Sequence, residues 1–160
     1  MKLRKLIAVL AAMLMLCSLI PAGAMVSAAR EELVPNGNLE TGPASGFTLY
    51  TGSTVAAEAA HAGGYGIKST ATNNQYQTMF YIELQVDQNT DYIFTFWHKY
   101  VGSNTDPKFY VYVKDQNKSA NVKATYPNGS ATWKQETVEF NSGTNTQIYI
   151  YLSNRTVNDG

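Results

Sequence analysis

Cysteine is all but missing from this chain. The single one, Cys17, stands inside an apolar N-terminal run. No intrachain disulfide can form, and no thiolate metal site or thiol nucleophile exists beyond that run. Histidine is nearly as scarce: His61 and His98 are the only two, too few and too far apart to suggest a zinc site. Net charge is lacking as well, with twelve basic and twelve acidic residues and no basic cluster. That argues against nucleic acid as a partner. No G-x-S-x-G, H-E-x-x-H or P-loop pattern occurs. Twelve acids leave room for a hydrolytic carboxylate pair, but none sits in a recognisable catalytic setting. After residue 29 no stretch shows convincing helical periodicity.

What is present begins with an export signal. Met1-Lys2-Leu3-Arg4-Lys5 is basic, residues 6–20 are almost wholly apolar, and Pro21 with the small residues after it supplies A-x-A-like cleavage sites. Cleavage is expected after Ala28 or Ala29, with Ala24 as the alternative. A membrane anchor is the competing reading, against which the run is short and interrupted by Pro21 and Gly23. Cys17 follows Leu14-Met15-Leu16, whereas a lipoprotein signal places a small residue there. The assignment is 1–29 signal peptide and 30–160 a single domain of about 131 residues, enough to bury a real core. Without Lys2, Arg4 and Lys5 the basic count falls to nine against twelve acids, a formal net charge of −3. The expected destination is extracellular, with no membrane partner after cleavage.

All eleven tyrosines and both tryptophans follow the signal, among many Asn, Thr, Ser and Gly. These are residues of strands, turns and polar recognition surfaces. Short alternating segments separated by turn clusters predict strands at 33–40, 47–51, 66–70, 78–86, 92–100, 109–114, 133–140 and 147–153. Eight short strands predict an all-β fold, a jelly-roll sandwich of two antiparallel sheets. Side chains at i and i+2 share a face. Ile148, Ile150 and Leu152 therefore oppose Tyr149 and Tyr151, and Phe109, Val111 and Val113 oppose Tyr110 and Tyr112. Tyr92, Phe94 and Phe96 oppose Ile93, Thr95, Trp97 and Lys99. If these strands share one sheet, its outer face presents Trp97, Tyr110, Tyr112, Tyr149 and Tyr151 together.

Four segments resemble a known family. Leu33-Val34-Pro35-Asn36-Gly37-Asn38-Leu39-Glu40 resembles the "N-x-x-x-N-G-x-F-E" opening of the carbohydrate-binding modules of families 4, 9, 16 and 22. Gly63-Gly64-Tyr65-Gly66-Ile67-Lys68 is similar to their "G-S-Y-S-L-K" strand. Asn89-Thr90-Asp91-Tyr92-Ile93-Phe94-Thr95-Phe96-Trp97-His98-Lys99 resembles "N-T-x-Y-T-L-S-F-W-x-K". Residues 132–140 are similar to "T-W-x-K-x-x-x-x-F". The resemblance implies a galactose-binding-like jelly roll that binds polysaccharide and accompanies cellulases and xylanases. That family closes with a strand of the type "Y-x-D-D-V". Here the sequence reaches Asn158-Asp159-Gly160 without it, so a fragment of a longer protein is expected.

The candidate site follows. Trp and Tyr offer flat apolar area and a polar tip at low entropic cost, which suits the C–H face of a pyranose. Trp97, Tyr110, Tyr112, Tyr149 and Tyr151 are the expected carbohydrate contacts. The competing reading is that tyrosine simply forms strands well. Trp133 opens a strand with Val138 and Phe140 and is read as structural, and His98 as core or edge. The resemblance implies a structural calcium between the first and last strands, held by Glu40, carbonyls around residues 63–66 and an aspartate of the closing strand. Calcium takes six to eight oxygens. Asp159 falls before that strand. Asn117-Lys118-Ser119, Asn128-Gly129-Ser130 and Asn154-Arg155-Thr156 are glycosylation sequons by pattern.

These readings point to a non-catalytic module that binds β-linked polysaccharide, β-glucan or xylan, and is covalently linked to a catalytic domain. One rival is an adhesion or surface module whose aromatic face docks on another domain. The other is a small β-sandwich lyase or glucanase.

Overall fold

The computed structural model describes residues 31–40, 42, 45–69, 76–102 and 107–155. The expected export signal with Cys17, and Asp159, lie outside the described residues. The chain divides into Met1–Glu31 and Glu32–Gly160, and the strands described below belong to the second unit.

Among the described residues nine strands run in chain order: β1 (Phe47–Leu49), β2 (Ser53–Ala56), β3 (Gly66–Ser69), β4 (Tyr76–Gln85), β5 (Asp91–His98), β6 (Lys108–Lys114), β7 (Asn121–Thr125), β8 (Lys134–Asn141) and β9 (Gln147–Arg155). A five-stranded sheet has the order β1-β4-β9-β6-β7, and β2-β3 and β5-β8 form two ribbons. Every pairing is antiparallel. The expected all-β sandwich is what the sequence folds into.

Alternation sets the core. Ile148, Ile150 and Leu152 of β9 sit opposite Leu84, Ile82 and Phe80 of β4, and Val111 and Val113 of β6 sit opposite Leu152 and Ile150. All are buried in one cluster with Phe109. Val138 and Phe140 of β8 join that cluster, with Tyr92, Phe94 and Phe96 of β5 packed against it. The β5-β8 ribbon thus lays its inner face on the inner face of the large sheet, as two stacked layers must to hide their apolar sides. Each fully buried aliphatic side chain contributes about 1.5–3 kcal/mol.

One buried hydroxyl ties two turns together. Ser142 Oγ is inaccessible to solvent. It donates to the carbonyl of Asp87 at 2.6 Å and accepts the backbone N–H of Thr90 at 3.0 Å. The β4–β5 turn is thereby fixed to the β8–β9 turn.

Two sequence readings change. Residues 33–40 are not a strand: turns occupy 35–38, and Asn36 and Leu39 have φ of 53° and 56°. The Pro35-Asn36-Gly37-Asn38 chemistry outweighs the alternation. Conversely, β2 and β7 carry little apolar alternation and gave no sequence signal. Both are short edge or ribbon strands whose partners define them.

Candidate functional site

The outer face of the five-stranded sheet is paved with tyrosine. Tyr81 of β4 pairs with Tyr151 of β9, and Tyr151 pairs with Tyr112 of β6. The three form a row across neighbouring strands. Strands lie about 4.8 Å apart, so the row spans about 10 Å. Tyr81 and Tyr151 have ring centroids 5.2 Å apart. Tyr50 extends the row at one end, 6.2 Å from Tyr81. Tyr126 extends it at the other, 6.1 Å from Tyr112. Tyr50 and Tyr126 are the most exposed of these rings, at 43% and 55%.

Tyr110 and Tyr149 share the face but not its accessibility. They are 6% and 7% exposed. Tyr126 covers Tyr110 edge-on at 5.2 Å, and the Lys118 ammonium lies 4.2 Å over the ring of Tyr149. Both were expected as direct contacts, and the structure makes them the floor on which the open rings rest. Tyr112 and Tyr151, also expected, are half-buried with accessible surface. Sequence reasoning passed over Tyr81, although it alternates with Phe80 and Ile82 in the same strand. That alternation was the available signal.

Trp97 is elsewhere. The five aromatic residues were expected on one sheet, but β5 pairs only with β8. Trp97 points outward from that ribbon, away from the tyrosines, and is 46% exposed. His61 stacks on it, centroids 4.0 Å apart and planes 10° apart. Trp133 meets His61 edge-on at 5.2 Å. The single five-ring platform is therefore corrected to a tyrosine row on one sheet and a separate Trp97–His61–Trp133 group on the other.

An open depression of about 550 Å³ is lined by Thr78, Tyr112, Lys114, Lys118, Tyr151 and Ser153. Ser153 and Thr78 are hydrogen-bonded at 3.2 Å. The hydroxyls, phenols and ammonium groups at its walls can bond the rim of a sugar while ring faces meet its C–H groups. Burial pushes the Tyr151 phenol up, and Tyr50, Tyr81 and Tyr149 add to the effect. The ring stays a neutral hydrogen-bonding group at ordinary pH.

Glu40 lies against the Gly-rich turn. Its Oε2 accepts the backbone N–H of Gly64 at 3.1 Å. Gly63 has φ +90°, and a Cβ there would stand 1.6 Å from Glu40 Oε1, so only glycine lets the carboxylate approach. The carboxylate expected as a calcium ligand is thus bonded to a backbone N–H of the turn. Among the described residues, however, no three His, Cys, Asp or Glu gather as a metal site.

His98, read from sequence as core or edge, is in the core, between Phe96 and Phe109. Burial pushes its pKa down, against the opposing pull of Glu136. Its Nε2 lies 3.5 Å from Glu136 Oε1, which also meets Lys134 Nζ at 2.6 Å.

Similar proteins carry the same architecture. A family 61 carbohydrate-binding module in complex with β-1,4-galactotriose is 18% identical with a TM-score of 0.59, over 79% of this chain and 90% of that one. A family 16 carbohydrate-binding module is 19% identical with a TM-score of 0.54, over 79% and 96%. The tandem family 22 modules of Paenibacillus barcinonensis Xyn10C give 20% and 0.55, over 84% of this chain and 49% of that one. No curated protein matches. The model of the family 4 and 9 carbohydrate binding domain matches residues 31–157. With that match over most of its length and the sandwich just described, the chain belongs to this carbohydrate binding domain family, whose members are non-catalytic modules.

Proposed function

We propose that this module holds a β-linked polysaccharide, β-glucan or xylan, across the tyrosine row of its five-stranded sheet. The observation that carries the reading is the register Tyr81–Tyr151–Tyr112. It sets three tyrosines side by side on paired strands, where little side-chain freedom remains to be lost on binding. The β-1,4-linked galactotriose held by the family 61 neighbour supports a β-linked ligand. The module is exported by its first 29 residues, as their basic start and apolar run suggest. It serves a covalently linked catalytic domain by raising the local concentration of substrate. Glu40 contributes to a structural calcium site beside the Gly63-Gly64 turn.

Titration calorimetry of the purified module with soluble β-glucan, xylan and β-1,4-galactan tests this. Binding to at least one is expected. Changing Tyr81, Tyr112 and Tyr151 together to Ala should abolish it, and binding that survives the triple change would sink the site. A second reading, docking of an adjoining domain, is favoured by the exposed Trp97 on the opposite layer. A Trp97→Ala change that alters association with the adjoining domain, and not with glycan, would support it.

A further inference from the structure

We infer that the polysaccharide on the tyrosine face carries carboxylate groups, as uronic acid residues do, and that Lys114 and Lys118 read them. This rests on the tyrosine-face reading above. Lys118 Nζ lies 4.2 Å from the Tyr149 ring and 5.0 Å from the Tyr81 ring. Lys114 Nζ lies 5.9 Å from the Tyr151 ring and 3.4 Å from the carbonyl of Lys118. Both line the depression beside Tyr112 and Tyr151. Two cations thus share one small open site.

Among the described residues neither ammonium forms a salt bridge, although the Asp115 carboxylate attracts Lys114 electrostatically. Asp115 is near in sequence, but its carboxylate is occupied. Oδ1 accepts the N–H groups of Ser119 and Ala120 at 2.7 and 3.0 Å, and Oδ2 the Ser119 hydroxyl at 3.0 Å. Those bonds, led by that from Ala120, together with the nearby Lys114 charge, hold its pKa below the usual carboxylate range. Glu83 is on the same face and takes the side-chain amide of Gln147. It offsets part of the charge without pairing with either lysine.

The position of Lys118 is also built. Its φ is 59°, in the left-handed region, and its N–H donates to the Asp115 carbonyl at 2.9 Å. The β6–β7 hairpin is clamped by Asp115, which bonds Lys118, Ser119 and Ala120. The exposed Lys118 side chain then lays its ammonium over the Tyr81 and Tyr149 rings. A neutral chain needs no such pair, since hydroxyls and phenols already bond its rim. Two like charges lining one depression, only partly offset by Asp115 and Glu83, favour an anion between them. The aromatic surroundings suit a glycan, so the anion is a sugar carboxylate.

Two matched probe pairs test the inference by calorimetry: glucuronoxylan with its carboxyl-reduced form, and carboxymethyl β-glucan with plain β-glucan. The pair whose neutral member binds is read. At low salt the carboxylated member should bind about three- to ten-fold tighter, and the preference should vanish in about 1 M salt. Lys114→Met with Lys118→Met should erase the preference, bringing the two members of the pair within about two-fold of each other. Equal affinity within the pair for the unaltered module, or tighter neutral binding by the double variant, would overturn the inference and leave the tyrosine site standing. The second result would make Lys118 a cover for the rings. Failure of both neutral members to bind would remove the tyrosine-face reading and this inference with it.

Discussion

His61 lies flat on Trp97, ring centroids 4.0 Å apart with planes within 10°, on the layer opposite the tyrosine row. The ring expected to lead the glycan site therefore already has one face taken. It also belongs to a ribbon that shares no strand with β6 or β9.

The first prediction separates the two aromatic groups. Tyr151→Ala removes the central ring of the row and should weaken glycan binding by about 1–2 kcal/mol, roughly five- to thirty-fold. Trp97→Ala should leave that affinity within about two-fold, because a side chain on another sheet makes no contact with the row. Calorimetry on both variants with one glycan decides it. A larger loss on Trp97→Ala than on Tyr151→Ala would move the site to the other layer.

Alternation made much of this readable in advance. The cores of β4, β6 and β9 follow from period two, and so does the placing of Tyr112 and Tyr151 outside. Sheet membership did not follow. Phe94 and Trp97 show as opposite faces of a strand in any sheet, and only long-range pairing tells which sheet that is. Accessibility was equally hidden. Tyr110 and Tyr149 have the same sequence pattern as Tyr112 and Tyr151, yet Tyr126 and Lys118, from beyond those strands, cover them. At 33–40 the Pro35-Asn36-Gly37 run decides the backbone against the apolar alternation.

A second prediction concerns the turn tie. Ser142→Ala deletes the hydroxyl that serves Asp87 and Thr90, and leaves the Thr90 N–H without that partner. The expected loss is about 1–3 kcal/mol of stability in urea unfolding. Glycan affinity should be unchanged, because no ring of the tyrosine row touches Ser142. A loss under about 0.5 kcal/mol would mean that water replaces the hydroxyl.

The pH dependence of stability should carry the mark of His98. Burial pushes its folded pKa below the ordinary value, so the unfolded chain takes up its proton first as pH falls. Its contribution is therefore full at neutral pH and is lost progressively below about pH 6.5. Burial pushes Glu136 up, but bonds from Lys134 and His98 leave it lowered. It adds a second loss of the same sign below the ordinary glutamate range. The melting temperature should fall between pH 7 and 5, and His98→Phe should flatten that limb. An unaltered slope in the variant would assign the dependence to other groups.

The last prediction joins Glu40 to Gly63. The carboxylate accepts the Gly64 N–H at 3.1 Å and fills the space that a Gly63 side chain would need. If calcium binds there, one side-chain carboxylate with backbone carbonyls gives a weak site, because dehydration of the ion is poorly offset. At a dissociation constant of about 1 mM, 10 mM calcium would stabilise the fold by about 1.4 kcal/mol through linkage. Glu40→Ala should abolish that gain, and Gly63→Ala should do the same by displacing the carboxylate. Both should leave glycan affinity intact, since neither residue belongs to the tyrosine row. A melting temperature that ignores calcium and chelator alike would reduce Glu40 to a turn-fixing side chain. Glu40→Ala would then still destabilise the fold by roughly the worth of one hydrogen bond to a charged group, about 1.5–3 kcal/mol at most.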